Sequence, residues 1–303
     1  MSERQRPVPL TRATVLLVAI LVVIDSLYFV FARLLLPLMA PAVSAFYVLA
    51  IGAVEVTALG LIRGRLRFEV LWKHRGFFLA IGLLISLSMS INYQAVAFID
   101  PGVASLLSKT SIFFGLGFSL LWLHEPLAPL QGVGALLAFG GVLTITFQPG
   151  DYLRLGSLLV LSSALMYALH AALVKRYGER IDLLNFFAFR LLVTSAFLLL
   201  FLFLRGEWAW PEGRTWPLLL LVGTLDIAIS RLLYYLVLRR MTMGLHTILL
   251  TLSPALAVGW SWLFFRRAPT WREIVGGAAV MAGVVIVTRH RPPEETSEGG
   301  SEG

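Results

Sequence analysis

The chain has no cysteine in 303 residues, which excludes disulfide staples, thiolate metal centres and thiol nucleophiles. Charge is scarce too: Asp, Glu, Lys and Arg make up 14%, against about 25% in soluble domains. Long polar stretches are missing except at the ends, where a head (residues 1–12) and an acidic, glycine-rich tail (291–303) read as unstructured. The run Gly150–Gly156 lacks the Gly-Lys-Ser/Thr ending of a phosphate loop, so ATP hydrolysis by this chain is excluded. No cofactor, metal or catalytic residue is expected.

Apolar sequence fills the space that remains. Hydrophobic residues reach 58%, gathered into ten stretches: 14–36, 41–62, 77–98, 102–122, 130–147, 154–175, 182–204, 216–238, 242–264 and 272–288. A bilayer core of about 30 Å needs about 20 apolar residues in a helix, so the chain reads as an all-α integral membrane protein with ten transmembrane helices. The first stretch is too long for a cleavable signal, contains Asp25 and lacks a small-residue cleavage site. A net charge of +8 would suggest nucleic acid for a soluble protein; here topology explains it, and no nucleic-acid partner is expected. With the amino terminus in the cytoplasm, fifteen Lys and Arg fall on inner segments and seven on outer ones. That places both termini inside, in a multi-pass protein of the plasma or inner membrane. The loop Arg266–Glu273, with three outer cations, runs against the rule, whereas Trp208, Trp210 and Trp216 sit where an outer aromatic belt belongs.

A shift of 142 residues partly superposes the chain on itself. Tyr93, Gly102, Ser111, Gly117, Ser119, Gly134 and Gly141 fall on Tyr235, Gly244, Ser253, Gly259, Ser261, Gly276 and Gly283, among twelve identities in 54 ungapped positions. Glycines and serines match, which hydrophobic composition alone does not produce. The halves are 13–148 and 149–290. Five spans each is an odd number, so the second half enters the membrane in the opposite sense. Inverted repeats place a binding site near the midplane and exchange which side is open. The glycines of spans 5 and 10 (Gly132, Gly134, Gly140, Gly141; Gly276, Gly277, Gly283) read as close-packing or dimer surfaces, leaving monomer and homodimer both open.

These features converge on a known family. Asn92-Tyr93-Gln94-Ala95-Val96-Ala97, Gly102-Val103-Ala104-Ser105-Leu106-Leu107, Leu123-His124-Glu125-Pro126-Leu127 and the glycines of span 5, with Arg190 in span 7 and Ser253-Pro254 in span 9, resemble the EamA type of the drug/metabolite transporter superfamily over about residues 14–289. Arg267-Ala268 stands where a second acid-containing turn is common, and Ile112 where a proline often sits. The resemblance implies export of small metabolites or drugs, often with proton coupling or exchange.

Ionisable residues within spans mark functional interiors. Asp25, Glu55, Asp226, Lys109, Arg190 and Arg231 qualify. Glu55 and Arg190, at similar depth on spans 2 and 7, read as a structural pair. At helical spacing, polar stripes comprise Ser105 and Lys109; Ser88 and Asn92; Asp226, Ser230 and Tyr234; Asp25 and Tyr28; Ser163, Tyr167 and His170; Thr247 and Thr251. Together they suit a central hydrated cavity. Lys109 either lines it or pairs with Asp25. Asp25 is the proton-coupling candidate, since desolvation favours a neutral carboxyl and a nearby cation a charged one; His170 is a second. The expected activity is secondary-active export of a small metabolite such as an amino acid, with Lys109 and Arg231 engaging its anionic group. A multidrug exporter of cationic amphiphiles, a phosphorylated-metabolite exchanger and a membrane-embedded lipid-modifying enzyme are the alternatives.

Overall fold

A computed structural model describes residues 12–122, 129–146, 155–178, 181–238, 250 and 252–289; the head, the tail, the turn between the halves, the Glu125-Pro126 turn and Thr251 lie outside them. The described residues are helical, without strands. In chain order they form α1 (Arg12–Ser26), α2 (Tyr28–Leu35), α3 (Pro41–Ile62), the short α4 (Phe68–Lys73), α5 (Arg75–Ala95), α6 (Pro101–Ser108), α7 (Ser111–Leu121), α8 (Pro129–Thr146), α9 (Leu155–Tyr177) and α10 (Leu183–Arg205). There follow α11 (Trp216–Val222), a π-helical segment Gly223–Ile229, α12 (Ser230–Leu238), α13 (Ser253–Phe265) and α14 (Trp271–Arg289). Six helical runs are long and apolar enough to cross a membrane: Thr14–Leu35, Pro41–Ile62, Arg75–Ala95, Leu155–Tyr177, Leu183–Arg205 and Gly213–Tyr234. Pro129–Ile145 and Ser253–Phe265 are shorter apolar helices.

Helix ends follow local chemistry. Asp100 caps α6 by accepting from Gly102 N at 2.8 Å, with Pro101 at the first helical position. Asp182 caps α10 through Leu184 N, and Gly206 ends that helix in the left-handed region at φ 66°. Asn185 ties α10 to the turn before α4, accepting from Arg67 N at 2.7 Å and donating to Arg65 O at 3.2 Å.

Polarity is inverted relative to a soluble protein. Leu136, Phe139 and Leu204 are 73%, 62% and 74% exposed, while Asp226 and Glu273 are 3% and 2% exposed. An apolar exterior around buried acids suits a lipid surround.

The repeat is visible in which helices touch. α8 and α14 run antiparallel with Gly134 against Gly283 and Gly141 against Gly276. Since 134 corresponds to 276 and 141 to 283, either contact becomes the other when the halves are exchanged, as an internal two-fold requires. A Cβ on Gly134 would lie 2.8 Å from Gly283 O, and one on Gly276 2.7 Å from Gly141 O, so glycine is what permits this approach. Other contacts obey the same exchange: α1 with α12 matches α9 with α5, and α7 with α9 matches α13 with α1.

Candidate functional site

Two stretches read as continuous spans are broken. The first is interrupted at Leu27, between α1 and α2; the fourth at Lys109-Thr110, between α6 and α7. At each break the ladder tightens to i→i−3 bonds, Leu27 N to Ile24 O and Thr110 N to Leu107 O, both 3.0 Å. Hydroxyls take carbonyls around the breaks: Ser26 Oγ donates to Val23 O, Ser108 Oγ to Ser105 O and Thr110 Oγ1 to Leu107 O. The third irregularity is the π-helical segment, with Asp226 at its centre. Non-helical backbone at membrane depth is tolerated where protein or a water-filled cavity surrounds it.

Each irregularity carries a charge. Lys109 Nζ stands 3.5 Å from Asp25 Oδ2, joining the two breaks, with side chains 19% and 28% exposed. This is longer than the 2.7–2.9 Å of a tight charge-assisted bond. Asp226 has Arg231 and Asp25 as charged neighbours. Ser253, opening α13, faces Asp25, and Trp260 Nε1 donates to Ser26 Oγ at 2.9 Å. Asn92 on α5 faces Tyr28, whose ring meets Tyr93 edge-on at 6.0 Å. Ser105 and Ser230 are buried nearby on α6 and α12. Several polar atoms here are buried without a hydrogen-bond partner: Asn92 Oδ1, the Tyr93 hydroxyl and both nitrogens of His170. Such groups need a ligand or water.

The remaining sequence-derived candidates are placed as follows. Tyr167 is 40% exposed, its ring 5.5 Å from that of His170. Tyr234 packs against the Leu21, Ile24 and Leu233 cluster. Glu55 accepts from Thr224 Oγ1 at 2.6 Å, and Arg190 stacks over Phe187 at 5.1 Å. Thr251 lies outside the described residues. The Ser88 and Ser163 stripes meet one another, Oγ to Oγ at 2.7 Å, so they lock α5 to α9. At the end of the bundle formed by the 96–100 and 266–270 turns, sequence reasoning missed Asp100 and Glu273. Asp100 accepts from Ser261 Oγ across the two halves; Glu273 accepts from Thr270 N and pairs with Arg267 at 3.8 Å. Both line a cavity of about 300 Å³ walled by Val103, Leu106, Val258 and Met281. Its walls are apolar and its acids already engaged, whereas Asn92 Oδ1 and the Tyr93 hydroxyl lie unsatisfied beside Tyr28 in the central cluster. That cluster is the better candidate for a polar solute. Among the described residues no three His, Asp or Glu could together hold a metal ion.

A helical bundle with an apolar exterior, an internal two-fold and charges gathered at broken helices has the architecture of a multi-pass membrane protein. The chain belongs to the EamA-like transporter family, which it matches over residues 12–147 and again over 154–289. It is similar to three Bacillus subtilis (strain 168) proteins named as uncharacterized transporters. YdfC is 28% identical over 61% of this chain and 62% of its own length. YoaV is 25% identical over 79% and 84%, and YvbV 29% identical over 64% and 64%. The alignments thus span less than two thirds of YdfC and of YvbV. A solved crystal structure superposes with a TM-score of 0.63 at 19% identity, over 91% of this chain and 96% of the other, a likeness of fold.

Proposed function

We propose that the chain is a secondary-active exporter of small metabolites such as amino acids, working by alternating access around the Asp25–Lys109–Asp226–Arg231 cluster. Ten crossing segments form two inverted five-helix repeats with both termini cytoplasmic, in the plasma or inner membrane. The observation that carries this reading is the coincidence of the charged groups with the helix irregularities. Breaks in opposed helices of an inverted repeat are where transporters hold solutes. Two cations and two acids complement a zwitterion: the carboxylate goes to the cationic side and the ammonium to Asp226 and Asp25. Tyr28, Asn92, Ser105, Ser230 and the Tyr167–His170 pair contribute hydroxyl, amide and ring contacts, with Tyr234 and, by its spacing in the sequence alone, Thr251 as further candidates. The Lys109–Asp25 pair, long and part-exposed, opens without leaving a fully desolvated charge, which suits Asp25 to exchange a proton for substrate.

A second reading draws on the Tyr28–Tyr93 edge beside two acids, a setting for an organic cation, and makes the protein a multidrug exporter. Counterflow in proteoliposomes separates the two. Accelerated uptake of a labelled neutral amino acid against its own internal pool supports the first; inertness to amino acids with exchange of a lipophilic cation such as tetraphenylphosphonium supports the second. No flux of either refutes both.

A further inference from the structure

Three arginines stand where neither topology nor the repeat accounts for them. Arg266, Arg267 and Arg272 lie on the segment that breaks the charge rule, and the 142-residue shift places them on His124, Glu125 and Leu130. The scaffold therefore does not itself require cations at this turn. Arg266 also ends α13 in the left-handed region at φ 54°, the conformation in which Gly206 ends α10. A long side chain is kept there against a backbone preference for glycine. Arg266 and Arg267 are exposed, and the Arg272 guanidinium lies 5.5 Å from the centre of the Trp271 ring. Trp262, one turn before Arg266, and Trp271 are exposed, as aromatic residues are at the level of lipid headgroups. The cavity of about 300 Å³ reaches this segment, with Arg267 in its wall. Its wall also includes exposed residues, Ala255 of α13 and Ile274 and Ala278 of α14, so it meets the apolar exterior as a groove between those helices. From Ile274 to Met281 the groove follows two helical turns, about 10 Å. Its acids are buried and engaged, Asp100 with Gly102 N and Ser261, Glu273 with Thr270 N and Arg267. An occupant therefore meets arginines at one end and hydrocarbon along the rest.

We propose that this groove binds an anionic phospholipid of the surrounding bilayer, one acyl chain lying between α13 and α14 and the phosphate meeting Arg266 and Arg267. Guanidinium forks match phosphate oxygens. With five N–H donors, Arg267 takes a phosphate while keeping its 3.8 Å contact with Glu273. The chain touches Leu106 of the first half and Met281 of the second, so occupancy joins the halves and stabilises the bundle. The site goes beyond the transporter reading and needs only a chain that sits in a bilayer. The purified full chain in detergent is melted with graded dioleoylphosphatidylglycerol, dioleoylphosphatidylcholine or glycerol phosphate. The first is expected to raise the melting temperature saturably by several degrees, and the other two far less. Replacing both arginines, Arg266→Gln with Arg267→Gln, is expected to weaken the apparent affinity about tenfold or more, as losing hydrogen bonds to a charged group does. Ala278→Phe fills the groove from an exposed position and leaves the arginines in place, so it decides the matter if the arginine variant fails to fold; a similar weakening is expected. Arg63→Gln with Arg65→Gln, exposed on the turn after α3, should bind like the wild type. The proposal is overturned if phosphatidylglycerol does not stabilise, or if phosphatidylcholine or glycerol phosphate does so equally well. It is equally overturned if either folded groove variant saturates like the wild type, or if the effect vanishes only in the Arg63 and Arg65 variant. Lipid binding with no flux in proteoliposomes sinks the transporter reading alone; flux without lipid stabilisation sinks this proposal alone.

Discussion

The glycines of α8 divide into two sets that the same substitution should push in opposite directions. Gly134 and Gly141 face α14, whereas a Cβ on Gly132 or Gly140 would meet nothing within 4 Å. Ordinary contact begins at 3.4 Å, and a Cβ on Gly276 would lie 2.7 Å from both Gly141 O and Ile145 Cγ1. Gly276→Ala therefore forces the two backbones apart by about 0.7 Å, the difference between those distances. A backbone carbonyl has no rotamer with which to yield. Overpacking typically costs about 1–3 kcal/mol, and the upper end applies where backbone is struck. Alanine returns about 1 kcal/mol of helix propensity, which leaves a net loss of about 2 kcal/mol. Gly134→Ala, at 2.8 Å from Gly283 O, should behave alike. Gly132→Ala and Gly140→Ala keep only the propensity gain of up to about 1 kcal/mol and should raise the melting temperature in detergent by a few degrees. Equal effects at the four positions, or destabilisation at Gly132 and Gly140 alone, would refute the internal two-fold contact.

The Lys109–Asp25 pair should show coupling: Lys109→Gln and Asp25→Asn each destabilise, by about 1–2 kcal/mol given their partial exposure, and the double variant recovers most of the loss; additive losses would deny the pair. Asp25→Asn should also abolish dependence of transport on an imposed pH gradient while substrate exchange persists, and an unchanged pH dependence in flux assays would end its coupling role. Asp100→Ala removes both the cap of α6 and the acceptor for Ser261, so it should cost about 1–3 kcal/mol in thermal denaturation; Ser261→Ala should cost less because Asp100 keeps Gly102 N, and the reverse order would contradict the assignment.

Apolar length made six of the ten expected spans legible among the described residues, and matched glycines made the repeat legible, because both are fixed by bulk requirements: hydrocarbon thickness and closest approach of two backbones. The breaks were not. Helix interruption is usually announced by proline or glycine, yet the sequence around the breaks reads Asp25-Ser26-Leu27-Tyr28 and Ser108-Lys109-Thr110-Ser111. The signal there is a hydroxyl beside a charge, and Ser26, Ser108 and Thr110 each bond a nearby carbonyl. The π-helical segment is likewise silent in periodicity, since one displaced turn hardly alters an apolar pattern. Ser88 and Ser163 show the converse failure. Helical spacing put them on polar stripes, but spacing cannot tell a hydroxyl that faces water from one that faces another hydroxyl. Asp100 carries no signal in the sequence, because its Ser261 partner is 161 positions away.

The absence of native cysteine makes single-cysteine labelling clean, and Ser230, buried beside the π-helical segment, is the position to test first. In proteoliposomes, Ser230→Cys should react with a membrane-impermeant thiol reagent added from one side, and a transported amino acid should change that rate. A cysteine that no aqueous reagent reaches from either side, with or without amino acid, would contradict a solute pathway through the broken helices.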